Sequence, residues 1–120
     1  MKGIVIKDFK LLPTPGYAAI AIFPFIFIRT NTQPWSVLKY RKYLMNHERI
    51  HLKQQLEMLI IPFYIWYVLE FGFRLIQYKG HVNSAYRNIS FEREAFTNEK
   101  DLTYRDGREW FAWVKYLKKD

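Results

Sequence analysis

Hydrophobic positions near the start of this chain come in short runs rich in Ile and Phe, and beyond residue 35 they recur at helical intervals. Residues 3–6 fit a short strand. Residues 18–29 fit a second one, in which Pro24 cannot donate a ladder hydrogen bond and so predicts an edge or a bulge. Pro13, Pro15 and Gly16 mark a turn between them, and residues 30–34 are polar and loop-like. A helix is predicted from residue 35 or 36 to about 59. Pro62 marks a break or the first turn of a second helix, which runs to Gln77. Residues 80–83 read as a loop. Ser90 is placed to cap a third helix carrying Glu92, Glu94 and Ala95. Asp106 and Glu109 have capping-box spacing ahead of a fourth, whose Trp110, Trp113, Val114 and Leu117 form a stripe expected to pack into the core. The expectation is one α+β domain over residues 1–120, mostly helical, with a short N-terminal β segment followed by about four helices.

Two apolar stretches complicate this picture. Residues 17–28 and 58–69 are each about a dozen long, against the ~20 that a spanning helix needs. Extending the second to 76 takes in Glu70 and Arg74, which could pair at i,i+4 on a helix. A strand and a buried helix are the expected forms. A monotopic or re-entrant association with a bilayer is the alternative.

Composition narrows the chemistry. Half of the 120 residues are hydrophobic, 19% are aromatic and the formal charge is +8. The basic residues are dispersed, with small groups at Lys39, Arg41 and Lys42 and at Lys115, Lys118 and Lys119. No nucleic-acid motif accompanies them, which points away from nucleic acid and leaves an anionic membrane surface as a polyanionic partner to consider. There is no cysteine, which excludes disulfides and thiolate metal sites and fits a reducing, cytoplasmic setting. Histidines and carboxylates are left as the strong metal ligands. The N-terminus lacks the charge–apolar–small order of a signal peptide.

One motif points to a metal. His47, Glu48 and His51 form HExxH on the first predicted helix. Residues four apart lie nearly one above the other, so two imidazoles face one point, as zinc requires. Glu48 projects about 100° around the helix, where a carboxylate can act as a base toward a metal-bound water. A third ligand is needed. His81 is the only other histidine, in a Gly-containing loop. Glu57 lies six residues after His51, but Gln54 stands where a helix-ending Gly would be needed to turn it inward. Glu92 and Glu94 come from a separate helix. Gln54, on the His47/His51 face, is a candidate to bond a bound water or bridge helices. Tyr86, Arg87 and His81 are candidates to stabilise a developing oxyanion.

HERIH at 47–51 followed by EREA at 92–95 resembles the gluzincin metallopeptidases, which carry HExxH on one helix and ExxA, often ExxAD, on the next. Similar patterns occur in CAAX-prenyl-protease, HtpX-type and BlaR-type peptidases and in small bacterial HExxHxxQQ…EREA domains. The resemblance covers about residues 46–96. It implies a central zincin-like helix pair, zinc held by His47, His51 and Glu92, Glu48 as catalytic base, and a peptide or protein substrate. It also implies that Ala95 lets the two helices pack closely and that the strand at 18–29 serves as an edge for an extended peptide. Two positions depart from the pattern. Arg49 stands where an uncharged residue is usual, and its burial would be costly. Phe96 replaces the Asp that supports a histidine ligand, which predicts a weaker support for the imidazoles. A zinc-dependent metallopeptidase-like protein is therefore expected. The alternative is a non-catalytic membrane-surface or partner-binding module with a structural or vestigial zinc site.

Overall fold

The computed structural model describes residues 3–9, 18–31 and 37–118. The turn expected at Pro13, Pro15 and Gly16, most of the loop at 30–34, and Lys119 lie outside them. The fold is α+β, with three short strands followed by four helices and two 3₁₀ turns. The strands are β1 (Ile4–Lys7), β2 (Ala19–Ile22) and β3 (Phe25–Ile28). They form one sheet in the order β1-β3-β2, with β1 parallel and β2 antiparallel to β3. Residues 18–29 are thus a hairpin, not the single strand expected. Pro24 sits with Phe23 in its turn, where the missing N–H costs no ladder bond. Gly3 has φ +76, and a Cβ there would come within 2.5 Å of Leu52 Cδ1, so the strand entry has room only for glycine.

Helix α1 (Leu38–Glu57) carries the HExxH segment and ends near the expected position. Leu59 and Ile60 then adopt φ values of 60° and 68°, and Ile60 N donates to Gln55 O at 2.7 Å. This tight turn redirects the chain by 113° into α2 (Ile61–Gln77). Pro62 lies in the first turn of α2, where its missing donor is not needed. Neither helix is long and apolar enough to cross a membrane.

Three local expectations fail for identifiable reasons. The loop expected at 80–83 is shorter: Gly80 turns at φ +84, and a short helix, α3 (Val82–Arg87), follows at once. Ser90 does not cap α4 (Ser90–Asn98); Ile89 is at the N-cap. The Ser90 hydroxyl instead donates to Glu70 Oε1 at 2.6 Å, and its N–H donates to Glu70 Oε2 at 2.6 Å. The fourth long helix is replaced by 3₁₀ turns at Tyr104–Asp106 and Ala112–Tyr116. Phe111 is left-handed, at φ 57°, and its N–H donates to the Glu57 carboxylate at 2.8 Å, not to a helical carbonyl. The stripe splits accordingly: Trp113 is buried, while Trp110 and Val114 are exposed.

The core has two parts. Ala21, Ile26, Ile28, Met45 and Leu52 join the sheet to α1. Phe63, Ile89, Phe91 and Trp113 join α2 to α4 and the C-terminal turn. The buried helix expected at 58–76 is buried on one side only. Glu70 and Arg74 do pair at i,i+4, 3.1 Å apart, and both face inward. Helix α1 lies between the sheet and α4, and Ala95, fully buried, permits the close approach of α1 and α4. His47 and Glu92 meet across that contact.

Candidate metal centre

Helical spacing brings the two imidazoles together. The His47 and His51 ring centroids are 4.8 Å apart, and their Nε2 atoms are 3.2 Å apart. Helix α4 adds Glu92, whose Oε1 lies 3.1 Å from His47 Nε2 and 3.0 Å from His51 Nε2. Ligand atoms ~2.0–2.1 Å from a tetrahedral zinc are about 3.3 Å from one another. The three atoms therefore form a triangle close to one face of a zinc tetrahedron. All three side chains are buried.

The surrounding hydrogen bonds fix the tautomers. Gln54 Nε2 donates to Phe91 O at 3.1 Å and to Glu94 Oε1 at 2.9 Å. Both are acceptors, so the Gln54 carbonyl oxygen must be the atom 2.7 Å from His51 Nδ1, and that nitrogen carries the hydrogen. On the other ring, His47 Nδ1 donates to Glu99 Oε1 at 2.8 Å. In the neutral imidazoles each Nε2 is then a lone pair. Two lone pairs and a carboxylate oxygen converge on one point, an arrangement that calls for a cation or a proton at its centre.

The electrostatics agree. Burial would lower the His47 pKa, but the bonds to Glu92 and Glu99 outweigh it and push it up to about 10. His51 is raised in the same way, with burial opposed chiefly by the charge on Glu92. Burial would raise Glu92, yet the two histidines hold it well below the ordinary carboxylate range. The other Glu92 oxygen accepts from Tyr67 Oη at 2.7 Å. Burial, with the Glu92 charge beside it, keeps the Tyr67 phenol protonated well above its usual pKa.

Glu48 borders this triangle, with ligand atoms of Glu48, His47 and His51 all within 4.8 Å of one another, a group that could hold a metal ion. Its Oε2 is 4.0 Å from His47 Nε2, and burial raises its pKa despite both histidines. It lines two cavities of about 370 Å³ each. One is bounded by β2, Phe63, Tyr64 and Tyr67, the other by Tyr43, Phe96 and Glu99. Tyr86 lines both.

Strand β2 is one of the two edges of the sheet. Arg29 N donates to Ala18 O at 2.8 Å, so by antiparallel alternation Ala19 and Ala21 present their N–H and C=O groups away from β3. Gln55 occupies one end of this edge: its Nε2 donates to Ala21 O at 2.8 Å, and its Oε1 accepts from Phe23 N at 2.7 Å.

The remaining candidates separate. Glu94 is held by Arg108, Gln54 and Tyr104, not by the histidines. Burial would raise its pKa, and Arg108 more than reverses this. Glu57 is paired with Arg108, at 2.9 and 3.0 Å. His81 is exposed at the start of α3 and lines neither cavity. Arg87 stacks over the Phe96 ring at 4.0 Å. Arg49 is only half-buried, in a third cavity lined also by Arg41, Lys42 and Arg105, which reduces the expected cost without removing it: burial, with Arg105 beside it, lowers its pKa.

Phe96 does not leave His47 unsupported. Its ring packs edge-on to His47, 4.5 Å between centroids, while Glu99 provides the carboxylate one turn later. Glu99 lies seven residues after Glu92, hence on the same helix face, and that spacing could have been read from the sequence. Asn46 holds this end of α4: its Nδ2 donates to Glu99 O at 2.8 Å and to Asp101 O at 3.0 Å. Tyr67 had no local signal, since it reaches the site from α2.

In comparisons with known proteins, no protein-family model, no curated protein and no solved structure matches the chain.

Proposed function

We propose that this protein is a zinc-dependent metallopeptidase-like hydrolase of the gluzincin type, with His47, His51 and Glu92 holding the ion and Glu48 serving as the base. The observation that carries this is the convergence of two Nε2 lone pairs and one Glu92 oxygen within 3.0–3.2 Å of one another. When bound, zinc supplies a Lewis acid that polarises a carbonyl and makes a water acidic near neutral pH.

The chain's own residues supply the rest. Glu48, beside the triangle and open to a cavity, is placed to accept a proton and return it to a leaving amine. Its raised pKa suits a group that must hold a proton part of the time. Tyr67 orients Glu92, and Glu99 and Gln54 orient the imidazoles. The outward amides of Ala19, and the Ala21 N–H, offer pairing groups for an extended peptide beside Glu48.

A non-catalytic module with a structural zinc site is the second reading. A structural site is closed by four protein ligands, whereas here three converge and a buried carboxylate faces a cavity. This supports the catalytic reading. The experiment is zinc analysis and peptide hydrolysis on the wild type, Glu48→Gln and Glu92→Ala. Stoichiometric zinc in wild type and Glu48→Gln, hydrolysis only in wild type, and zinc loss in Glu92→Ala are expected. Zinc-loaded wild type inert toward a varied peptide library would favour the structural site.

A further inference from the structure

Helix α2 is apolar on its outer face as well as on the inner face that packs into the core. Ile61, Ile65, Val68, Leu69, Phe73 and Ile76 are all exposed, Leu69 by 68% and Ile76 by 82%. At 100° per residue they cover an arc of roughly 140°, and at 1.5 Å per residue a length of about 22 Å. The other residues within that arc are Pro62 and Gly72, and neither adds a polar side chain. The helix's two charges, Glu70 and Arg74, face inward and bond to each other and to Ser90 and Leu117 O. The stripe continues into the turn before the helix, where Leu59 is 80% exposed on left-handed backbone. Phe111, tied by its N–H to Glu57 at the end of α1, and its neighbour Trp110 are exposed as well.

We infer that this face of α2 docks in the plane of an anionic phospholipid bilayer, with the Leu59 turn and the α2 stripe in the acyl-chain boundary. Two observations select lipid over protein as the occupant. A protein interface carries about one hydrogen bond per 100–200 Å² and a polar rim. The six stripe residues offer no side-chain donor or acceptor at all. Secondly, exposed lysines lie just past the end of α2 and in the C-terminal turn that packs against it. Lys79 follows the last turn of α2. Lys118 follows Leu117, whose carbonyl accepts from Arg74 at 2.8 Å, and Lys115 follows the exposed Val114. With a chain charge of +8, these suit anionic headgroups. Trp66 and Trp110, both exposed, are the amphipathic rings favoured at a headgroup boundary. The helix lies in the surface and does not cross it, since no single helix is long and apolar enough to do so.

The inference does not depend on zinc or catalysis. The test is flotation of the full chain with vesicles of phosphatidylcholine alone and of phosphatidylcholine with phosphatidylglycerol. Wild type should float with the mixed vesicles, binding them on the order of 10-fold or more tighter than the neutral ones. The double variant Leu69→Asp/Ile76→Asp should lose flotation while keeping its helical circular dichroism and its zinc content, because both side chains point away from the core. Lys79→Glu/Lys115→Glu should lose the preference for the anionic lipid. Wild type remaining unbound on both vesicles would overturn the proposal. So would undiminished flotation of the double aspartate variant. A concentration-dependent dimer of unbound wild type that Leu69→Asp/Ile76→Asp dissolves would assign the face to a second copy of the chain instead. Zinc content, measured on the same samples, keeps a failure here separate from a failure of the metal site.

Discussion

Glu99 accepts a hydrogen bond from His47 Nδ1 at 2.8 Å, from a position one turn beyond Phe96 on α4. That bond fixes which imidazole nitrogen faces Glu92. Removing such a support typically costs 10–100-fold in metal affinity. Glu99→Ala should therefore weaken zinc binding by about that factor, measured by competition with a chromophoric chelator. Glu99→Gln should lose less, because an amide oxygen still accepts the bond. Equal affinity in all three proteins would remove Glu99 from the site.

Tyr67 holds the second Glu92 oxygen from α2. Tyr67→Phe should lower zinc affinity by about 10-fold. It should cost only ~1–3 kcal/mol of stability, the range for one buried acceptor left without a donor. Chelator competition and urea unfolding of the metal-free protein would separate the two effects.

The pH dependence has a definite sign. In the metal-free protein the His47 pKa is raised from 6.5 to about 10. A group raised on folding stabilises fully below its unfolded pKa, and that stability is lost as pH rises through the folded value. Glu48, raised by burial, acts in the same direction. The metal-free protein should thus melt at a lower temperature near pH 10 than near pH 6.5. Zinc takes the place of the proton, so its affinity should rise over the same interval. Thermal scans with chelator and with zinc would check both. Chelated protein that gains stability across this range would contradict the assignment.

Arg108 joins Glu57 and Glu94, and its side chain is only 3% exposed. Arg108→Met would leave two buried carboxylates without their cation. The expected loss is about 3–5 kcal/mol, read by denaturant unfolding. Replacing Glu94 as well should recover part of it, since one stranded charge is then gone.

Much of this was legible in the sequence wherever local rules decide the outcome. The spacing of His47 and His51, the break before Pro62, and Glu92 on a following helix all follow from helical periodicity and punctuation. The misses arise where distant partners compete for a local group. Ser90 has the chemistry of a cap, but Glu70, twenty residues away, takes its hydroxyl and its N–H. The C-terminal stripe has helical spacing, but Glu57 captures the Phe111 N–H and interrupts it. The hairpin at β2 and β3 was hidden because its turn holds Phe23 with Pro24, and Ile- and Phe-rich sequence flanks both. Glu94 and Glu92 are equivalent by composition. Tertiary partners separate them: the histidines and Tyr67 hold Glu92, and Arg108, Gln54 and Tyr104 hold Glu94.

The clamp made by Asn46 bears on ion selectivity. Asn46 precedes His47 directly, and its amide pins the carbonyls at the end of the helix that carries Glu92. The frame around the three ligands is thereby set by protein contacts before any ion arrives. Calcium, which gathers six to eight oxygens at 2.3–2.6 Å, would need that frame to open, and magnesium prefers oxygen donors in an octahedron. With the proposed ligand set, discrimination against these abundant hard cations is expected from the scaffold. Small ions that accept imidazole nitrogen, such as zinc, copper and nickel, are the occupants that this ligand set is expected to favour, in an order governed by their availability.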